Sequence, residues 1–376
     1  MSPSRPESQD RRADSDSGQA GPRLHPRQDV QGSGAGRSLG QLIRGRFAPT
    51  PSGPLHLGNL RTALLAWLHC RLQGGSFLLR IDDLDHPRLQ PGAEDAILRD
   101  LRWLGLDWDE GPDIGGPCGP YRQSGRRWRY HKALSALRRR GLLFPCRCSR
   151  RMLAAVSAPH GVTPLYPGTC RNRRDWGPRQ GKLPSWRWRA PNRHCRVPEM
   201  LQPAPEGWLP TMVGDVVLRR ADGFVAYHLA TAVDEMAMGI TQVFRGADLL
   251  PTTAVQVALM EDLGGTPPRY WHGPLLRNRH GQRLAKRTGA GGVQALRQAG
   301  WDAPAVVGAL AASVGLLEGR QRLSSAELLS GLDLPRLEAT CRTDHTPPPQ
   351  GLPWGEDAAP PPPAPHCGDR GEDAAP

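Results

Sequence analysis

The residues whose types and order could do chemistry form one stretch, Arg46-Phe47-Ala48-Pro49-Thr50-Pro51-Ser52-Gly53-Pro54-Leu55-His56-Leu57-Gly58-Asn59. A strand feeds a turn rich in Pro and Gly, and the turn opens a helical run from Leu60 to Leu72. That order presents backbone N–H groups and the positive end of a helix outward, which suits a phosphate. His56 and Gly58 fall inside this turn, although a histidine by itself is more often a surface or core residue. The stretch reads as a nucleotide seat.

Cysteines supply a second candidate chemistry. Eight cysteines in 376 residues, with no secretion-type leader, argue against a disulfide framework and for a metal. Cys146, Cys148 and Cys170 are three thiols within 25 residues, two of them a Cys-x-Cys pair. A tetrahedral zinc site needs one more ligand, and His160 and Cys195 qualify on chemistry alone. Four protein ligands leave no position for water, so such a metal would be structural.

Several elements must position these groups. Phe77–Ile81 is apolar enough for a central parallel strand and runs into Asp82-Asp83-Leu84-Asp85. Acids at the carboxyl end of such a strand lie on the edge where open α/β sheets bind ligands. Asp83 and Asp85 read equally well as caps for a helix that begins near Glu94 and shows Ile97, Leu101 and Leu104 on one face. Residues 126–140 form a basic amphipathic helix with Trp128, Leu134 and Leu137 predicted inward. Asp215–Arg220 and Phe224–Tyr227 flank Ala221-Asp222-Gly223 as a hairpin. A helix over His228–Met238, a strand over Thr241–Phe244 and a helix over Thr252–Leu263 follow. Tyr227 and Arg245 both fall where the chain returns toward the first strand.

The formal charge of +13 is unevenly placed. From Ile114 to Pro198 there are twenty Lys or Arg and one acid, Asp175, with Trp128, Trp176, Trp186 and Trp188 interleaved. Such a segment suits a polyanion, RNA included. Residues 1–40 lack apolar periodicity, and residues 341–376 carry the runs Pro347–Pro349 and Pro360–Pro363, so both ends are expected to be disordered tails. With neither an apolar leader nor a membrane-length span, a soluble cytoplasmic protein is expected.

The run Arg-Phe-Ala-Pro-x-Pro-x-Gly-x-Leu-His-x-Gly-Asn resembles the signature of class I aminoacyl-tRNA synthetases, in the form used by the glutamyl branch. The resemblance implies that His56, Gly58 and Asn59 meet ATP. Asp-Gly-x-x-Ala-Tyr-x-Leu-Ala, with Arg-Gly-Ala-Asp-Leu placing Arg245 eighteen residues after Tyr227, is similar to the glutamate-binding half of the same family. By that likeness Arg46 and Arg245 offer guanidinium forks to a carboxylate, and Ala48, Thr50, Asp82 and Tyr227 line the pocket. Asp82 stands where the family carries Glu, keeping the charge on an arm shorter by one methylene. Arg283-Leu284-Ala285-Lys286-Arg287 resembles the Lys-Met-Ser-Lys-Ser loop, with Ala285 and Arg287 replacing two serines. Lys286 then matches the lysine that meets ATP phosphates, and His56, Gly58 and Lys286 become the catalytic group. The spacing Cys-x-Cys, seventeen residues, Tyr, three residues, Cys is similar to the pattern of the glutamyl-queuosine branch, in which Tyr166 completes the zinc set.

The fold implied is α/β, a Rossmann-like doubly wound parallel sheet with an inserted zinc-containing subdomain and disordered termini. Residues 41–113 would be the first half of the catalytic domain, 114–210 the basic zinc-containing insertion, and 211–340 the second half with the Lys286 loop. About fifty residues of recognisable element pattern follow Lys286, too few for a helical anticodon-reading region, so the resemblance is to the shortened glutamyl-queuosine branch. It implies a monomeric, cytoplasmic ligase that activates L-glutamate with ATP and Mg²⁺ and transfers it to queuosine in the anticodon of tRNA(Asp). Two alternatives stay open. One is a truncated glutamyl-tRNA synthetase charging a tRNA 3′ end, and the other is a non-catalytic zinc- and RNA-binding paralogue.

Overall fold

The computed structural model describes residues 42–149, 152, 165–276, 292–319 and 321–342. Residues 1–40, residues 343–376, His160 and the Arg283–Arg287 motif with Lys286 lie outside the described residues; the tail expected from residue 341 begins later, because Cys341 and Arg342 close a helix and Cys341 is buried in the core.

Strand β1 (Arg44–Phe47) pairs in parallel with β2 (Ser76–Leu79), Arg44 opposite Ser76 and Phe47 opposite Leu79. Far along the chain, β6 (Gln242–Gly246) pairs in parallel with β7 (Arg269–Gly273). The two pairs join at β1, where the Thr241 N–H donates to the Arg44 carbonyl at 3.0 Å and Thr241 Oγ1 accepts from the Arg44 N–H at 2.9 Å. The chain therefore leaves β1 toward β2 on one side and meets β6 on the other. The carboxyl ends of β1 and β6 open a crevice at that switch point, the usual ligand position in a doubly wound sheet.

Helix α1 (Leu57–Arg71) crosses from β1 to β2, and Leu60, Leu64 and Leu68 are buried. Each contributes roughly 1.5–3 kcal/mol by leaving water. It is buried on its other faces too, because helix α7 (Ala303–Ala312) packs into the same apolar core. Helix α2 (Ala93–Trp103) buries Ile97, Leu98 and Leu101 in that core. A second core forms around α3 (Arg127–Arg139), α4 (Tyr227–Ala237) and α5 (Leu250–Asp262). A small antiparallel sheet of β3 (Leu143–Cys146), β4 (Ser185–Trp188) and β5 (Val217–Arg219) carries the cysteine-rich segment. Short helices α6 (Val293–Gln298), α8 (Ser325–Ser330) and α9 (Leu334–Arg342) complete the described chain.

Two expectations need correction. Trp128 is 57% exposed, not inward, because Tyr130 takes the core position on α3 with Ala133, Leu134 and Leu137. The Tyr130 hydroxyl donates to the buried Asp234 at 2.8 Å, whereas Trp128 has no such anchor and lies under the Arg129 guanidinium at 4.5 Å. The hairpin around Ala221-Asp222-Gly223 forms, with Arg220 N–H on the Phe224 carbonyl and Ala226 N–H on that of Leu218, both at 2.8 Å. Its second arm, however, ends in α4, so Tyr227 opens a helix rather than closing a strand. Among the described residues, no helix is long and apolar enough to cross a membrane.

Candidate active site

The chain from Phe47 to His56 turns over the carboxyl end of β1 and delivers His56 as the N-cap of α1. Its Nδ1 accepts the Asn59 N–H at 3.2 Å, so the ring proton belongs on Nε2. Glycine at 58 suits this geometry, since a Cβ there would lie 3.0 Å from the His56 Cε1 and 3.1 Å from its Nδ1 and the imidazole would have to shift to admit it.

Arg46, Ala48, Thr50, His56, Gly58, Asn59, Asp82, Tyr227 and Arg245 all line one cavity of about 390 Å³ at the switch point. Every described residue that the sequence assigns to glutamate or ATP is thus brought together. Leu276 and Gly292, which flank the segment holding Lys286, lie against the same loop. Leu276 lines the cavity, and a Cβ on Gly292 would stand 2.9 Å from Pro54 Cβ.

The buried charges beside the cavity are unevenly matched. Arg46 Nε donates to Glu235 Oε1 at 2.9 Å, and Arg80 Nε to Asp82 Oδ1 at 2.7 Å. Asp234 receives Arg126 at 2.5 Å and Gln123 and Tyr130 at 2.8 Å. Burial alone would raise the Glu235 carboxyl, but the Arg46 and Arg80 charges outweigh it and hold Glu235 below the usual carboxylate range. For Asp82 burial outweighs Arg80 and pushes the carboxyl up to about 6.

Arg245 differs. It is 4% exposed, and its donors meet neutral acceptors: His272 Nε2 at 3.0 Å, Gln256 Oε1 at 2.8 Å and Thr253 Oγ1 at 2.8 Å. It makes no ion pair with a described residue. A charge of opposite sign acts on it from the Glu235 carboxylate, which Arg245 helps hold below the usual carboxylate range, and Arg46 and Arg80 share that same carboxylate. Asp234, Glu235, Glu199 and His272 were not singled out from the sequence. Two adjacent acids inside the apolar run Leu229–Ala237 were a legible sign of buried arginine partners, whereas Glu199 and His272 sit in no pattern.

The cysteine cluster forms as expected. The sulfurs of Cys146, Cys148 and Cys170 lie within 4.8 Å of one another, and the Tyr166 hydroxyl is 3.4 Å from Cys146 Sγ and 3.5 Å from Cys148 Sγ. The Cys170 N–H donates to that hydroxyl at 2.8 Å, and the Arg187 guanidinium lies 3.9 Å over the Tyr166 ring. Four donors converge, and their types fit Zn²⁺. Cys195 is not among them; it is buried in the core around α3, α4 and α5.

Comparison with known proteins agrees with this geometry. The catalytic domain of class I tRNA synthetases (E and Q) matches residues 42–313. The glutamyl-Q tRNA(Asp) synthetase of Symbiobacterium thermophilum is 48% identical over 304 residues, covering 79% of this chain and 94% of that one. That of Prochlorococcus marinus (strain MIT 9303) is 50% identical over 300 residues, covering 79% and 90%. A crystal structure of a glutamate tRNA ligase from Elizabethkingia meningosepticum, in complex with its amino acid, superimposes with a TM-score of 0.66 at 28% identity. The match covers 78% of this chain and 65% of that ligase, so the chain spans about two thirds of its length.

Proposed function

The chain belongs to the class I tRNA synthetases of the glutamate and glutamine type and, within them, to the glutamyl-Q tRNA(Asp) synthetase family; from that footing we propose that it activates L-glutamate with ATP and transfers it to queuosine in the anticodon of tRNA(Asp). The observation that carries this reading is one cavity shared by the His56 helix start and Arg245, whose hydrogen-bond partners are all neutral. An anion receptor and a phosphate receptor then face the same space.

In the first step the α-carboxylate oxygen of glutamate attacks the α-phosphorus of ATP. The bond to the bridging oxygen breaks, pyrophosphate leaves and glutamyl-adenylate remains; Mg²⁺ arriving with ATP would neutralise part of the phosphate charge. The α1 N-terminus and the His56 Nε2–H stabilise the charge that grows on phosphate oxygens, and Lys286 neutralises the leaving pyrophosphate. Arg46 and Arg245 hold the side-chain carboxylate, Asp82 faces the α-ammonium, and Ala48, Thr50 and Tyr227 shape the remaining wall. In the second step a hydroxyl oxygen of the queuosine cyclopentene ring attacks the mixed anhydride; an ester forms and AMP leaves.

Cys146, Cys148, Tyr166 and Cys170 would hold one structural Zn²⁺, which would tie β3 to the 165–170 segment and take no part in either step. The basic segment from Ile114 to Pro198 is the docking face for the anticodon stem-loop. Exposed Trp128 can stack on a base, while Arg127, Lys132, Arg138, Arg139 and Arg140, all exposed on or just after α3, meet phosphates. The enzyme would work as a monomer in the cytoplasm.

The deciding experiment offers ATP and labelled glutamate to tRNA(Asp) with and without queuosine. Label on the queuosine nucleotide alone supports the proposal. Label on a 3′ adenosine favours a truncated glutamyl-tRNA synthetase, and no glutamate-dependent pyrophosphate exchange favours a non-catalytic paralogue.

A further inference from the structure

We infer that Glu199 is a positioning residue for the substrate carboxylate, acting through the ring tautomer of His272 on the guanidinium of Arg245. The inference rests on the glutamate reading of the cavity.

The argument begins with donors that cannot change role. Arginine N–H groups only donate, and Arg245 Nε lies 3.0 Å from His272 Nε2. His272 Nε2 must therefore accept, and its ring proton must sit on Nδ1. Nδ1 lies 2.5 Å from Glu199 Oε2, which accepts that proton's hydrogen bond. The other oxygen, Glu199 Oε1, accepts three backbone N–H groups: Leu201 at 3.0 Å, Gln202 at 3.0 Å and His272 at 3.2 Å. Both side chains are fully buried. A carboxylate accepts with both oxygens, so every donor in the chain from backbone to Glu199 to His272 to Arg245 points the same way.

The consequence appears at Arg245. With Nε held by His272, Nη1 by Gln256 and Nη2 by Thr253, three of its five N–H groups are committed to the protein. One N–H on each terminal nitrogen remains, a fork suited to two carboxylate oxygens. Glu199 does not line the cavity; it determines the aim of a group that does.

Glu199→Gln tests this with an isosteric side chain. The three N–H groups that meet Oε1 select the amide oxygen for that place and put the NH₂ where Oε2 was. That NH₂ faces Nδ1, so His272 must accept at Nδ1 and carry its proton on Nε2. The Nε2–H then turns to Thr253 Oγ1, 3.1 Å away, Arg245 Nε loses its acceptor, and Arg245 turns away.

The measurement is the histidine side-chain ¹H–¹⁵N correlation spectrum of the full chain, with His272 assigned by its loss in His272→Asn. The expected result is an Nδ1–H tautomer in the wild type and Nε2–H in Glu199→Gln. In pyrophosphate exchange, the KM for glutamate should rise about tenfold or more, the scale of one lost charge-assisted hydrogen bond, with the KM for ATP unchanged. An Nε2–H tautomer in the wild type, an unchanged tautomer in the variant, or equal rises in both KM values would overturn the inference. Should the variant fail to fold, the wild-type tautomer still decides. The tautomer is read without any turnover, so a wild type showing Nδ1–H but no glutamate-dependent exchange counts against the substrate and not against the relay.

Discussion

Arg46 at the end of β1 is neutralised by Glu235 on α4 at 2.9 Å across 189 positions, both side chains buried. Arg245, which lines the same cavity from the end of β6, has neutral partners. Two arginines nominated for one carboxylate thus play different parts. Arg46 is part of a standing ion pair that holds β1 to α4, while Arg245 is held by neutral groups; under the proposed function both meet the substrate carboxylate.

The two parts separate by mutation. Glu235→Gln leaves Arg46 and Arg80 short of a buried counter-charge and is expected to lower stability by about 3 kcal/mol in urea unfolding. Arg245→Gln strands the buried groups of His272, Gln256 and Thr253 that it now bonds, so it should cost about 1–3 kcal/mol of stability while lowering kcat/KM for glutamate about 100-fold. Glutamate kinetics unchanged in Arg245→Gln would remove Arg245 from substrate binding.

Asp82 gives a pH signature. Burial raises its carboxyl to about 6, so it is ionised at pH 7.5 and mostly neutral at pH 5. A neutral Asp82 cannot hold the α-ammonium, and kcat/KM for glutamate should fall as pH drops through about 6. Because the folded value is raised above the unfolded one, ionised Asp82 opposes folding at neutral pH, and that cost is relieved as pH falls toward 4. Binding should therefore weaken over a range where this group does not weaken the fold. In Asp82→Asn the acid limb should vanish and the glutamate KM should be high throughout; an acid limb that survives the change belongs to another group.

Replacing Cys146 and Cys148 with Ser is expected to release one equivalent of zinc and to lower the melting temperature. Metal analysis of the purified variant checks this. Zinc retained at full stoichiometry would place its ligands elsewhere.

Lys286→Ala should cut glutamate-dependent pyrophosphate exchange at least 100-fold, the size of losing a charge aimed at the transition state, with tRNA affinity near normal. Unchanged exchange would show that the resemblance of Arg283–Arg287 to the ATP loop is superficial.

Trp128→Ala should leave pyrophosphate exchange intact and raise the KM for tRNA(Asp), since the exposed ring contributes nothing to the core. A lowered melting temperature with an unchanged tRNA KM would instead give Trp128 a packing role.

What could be read from the chain was local. His56, Gly58 and Asn59 lie within one turn of a helix start, and their chemistry follows from cap geometry that four residues define by themselves. Cys146, Cys148, Tyr166 and Cys170 announce a shared site through short spacing, and the structure draws their donor atoms together. Trp128 shows the limit even of local patterns. Apolar periodicity identifies the helix but not its inward face, because that depends on Asp234, more than a hundred positions away, offering a partner to the Tyr130 hydroxyl. Sequence alone determined the helix start at His56, the metal-type cluster and the parallel-sheet class. Tertiary structure alone decided which arginine bonds a carboxylate and which groups face the two nitrogens of His272. The reason is that compensation of buried charge is settled by whichever groups meet after collapse; Glu199, Glu235, Arg245 and His272 arrive from four separate elements, and no spacing along the chain encodes their encounter.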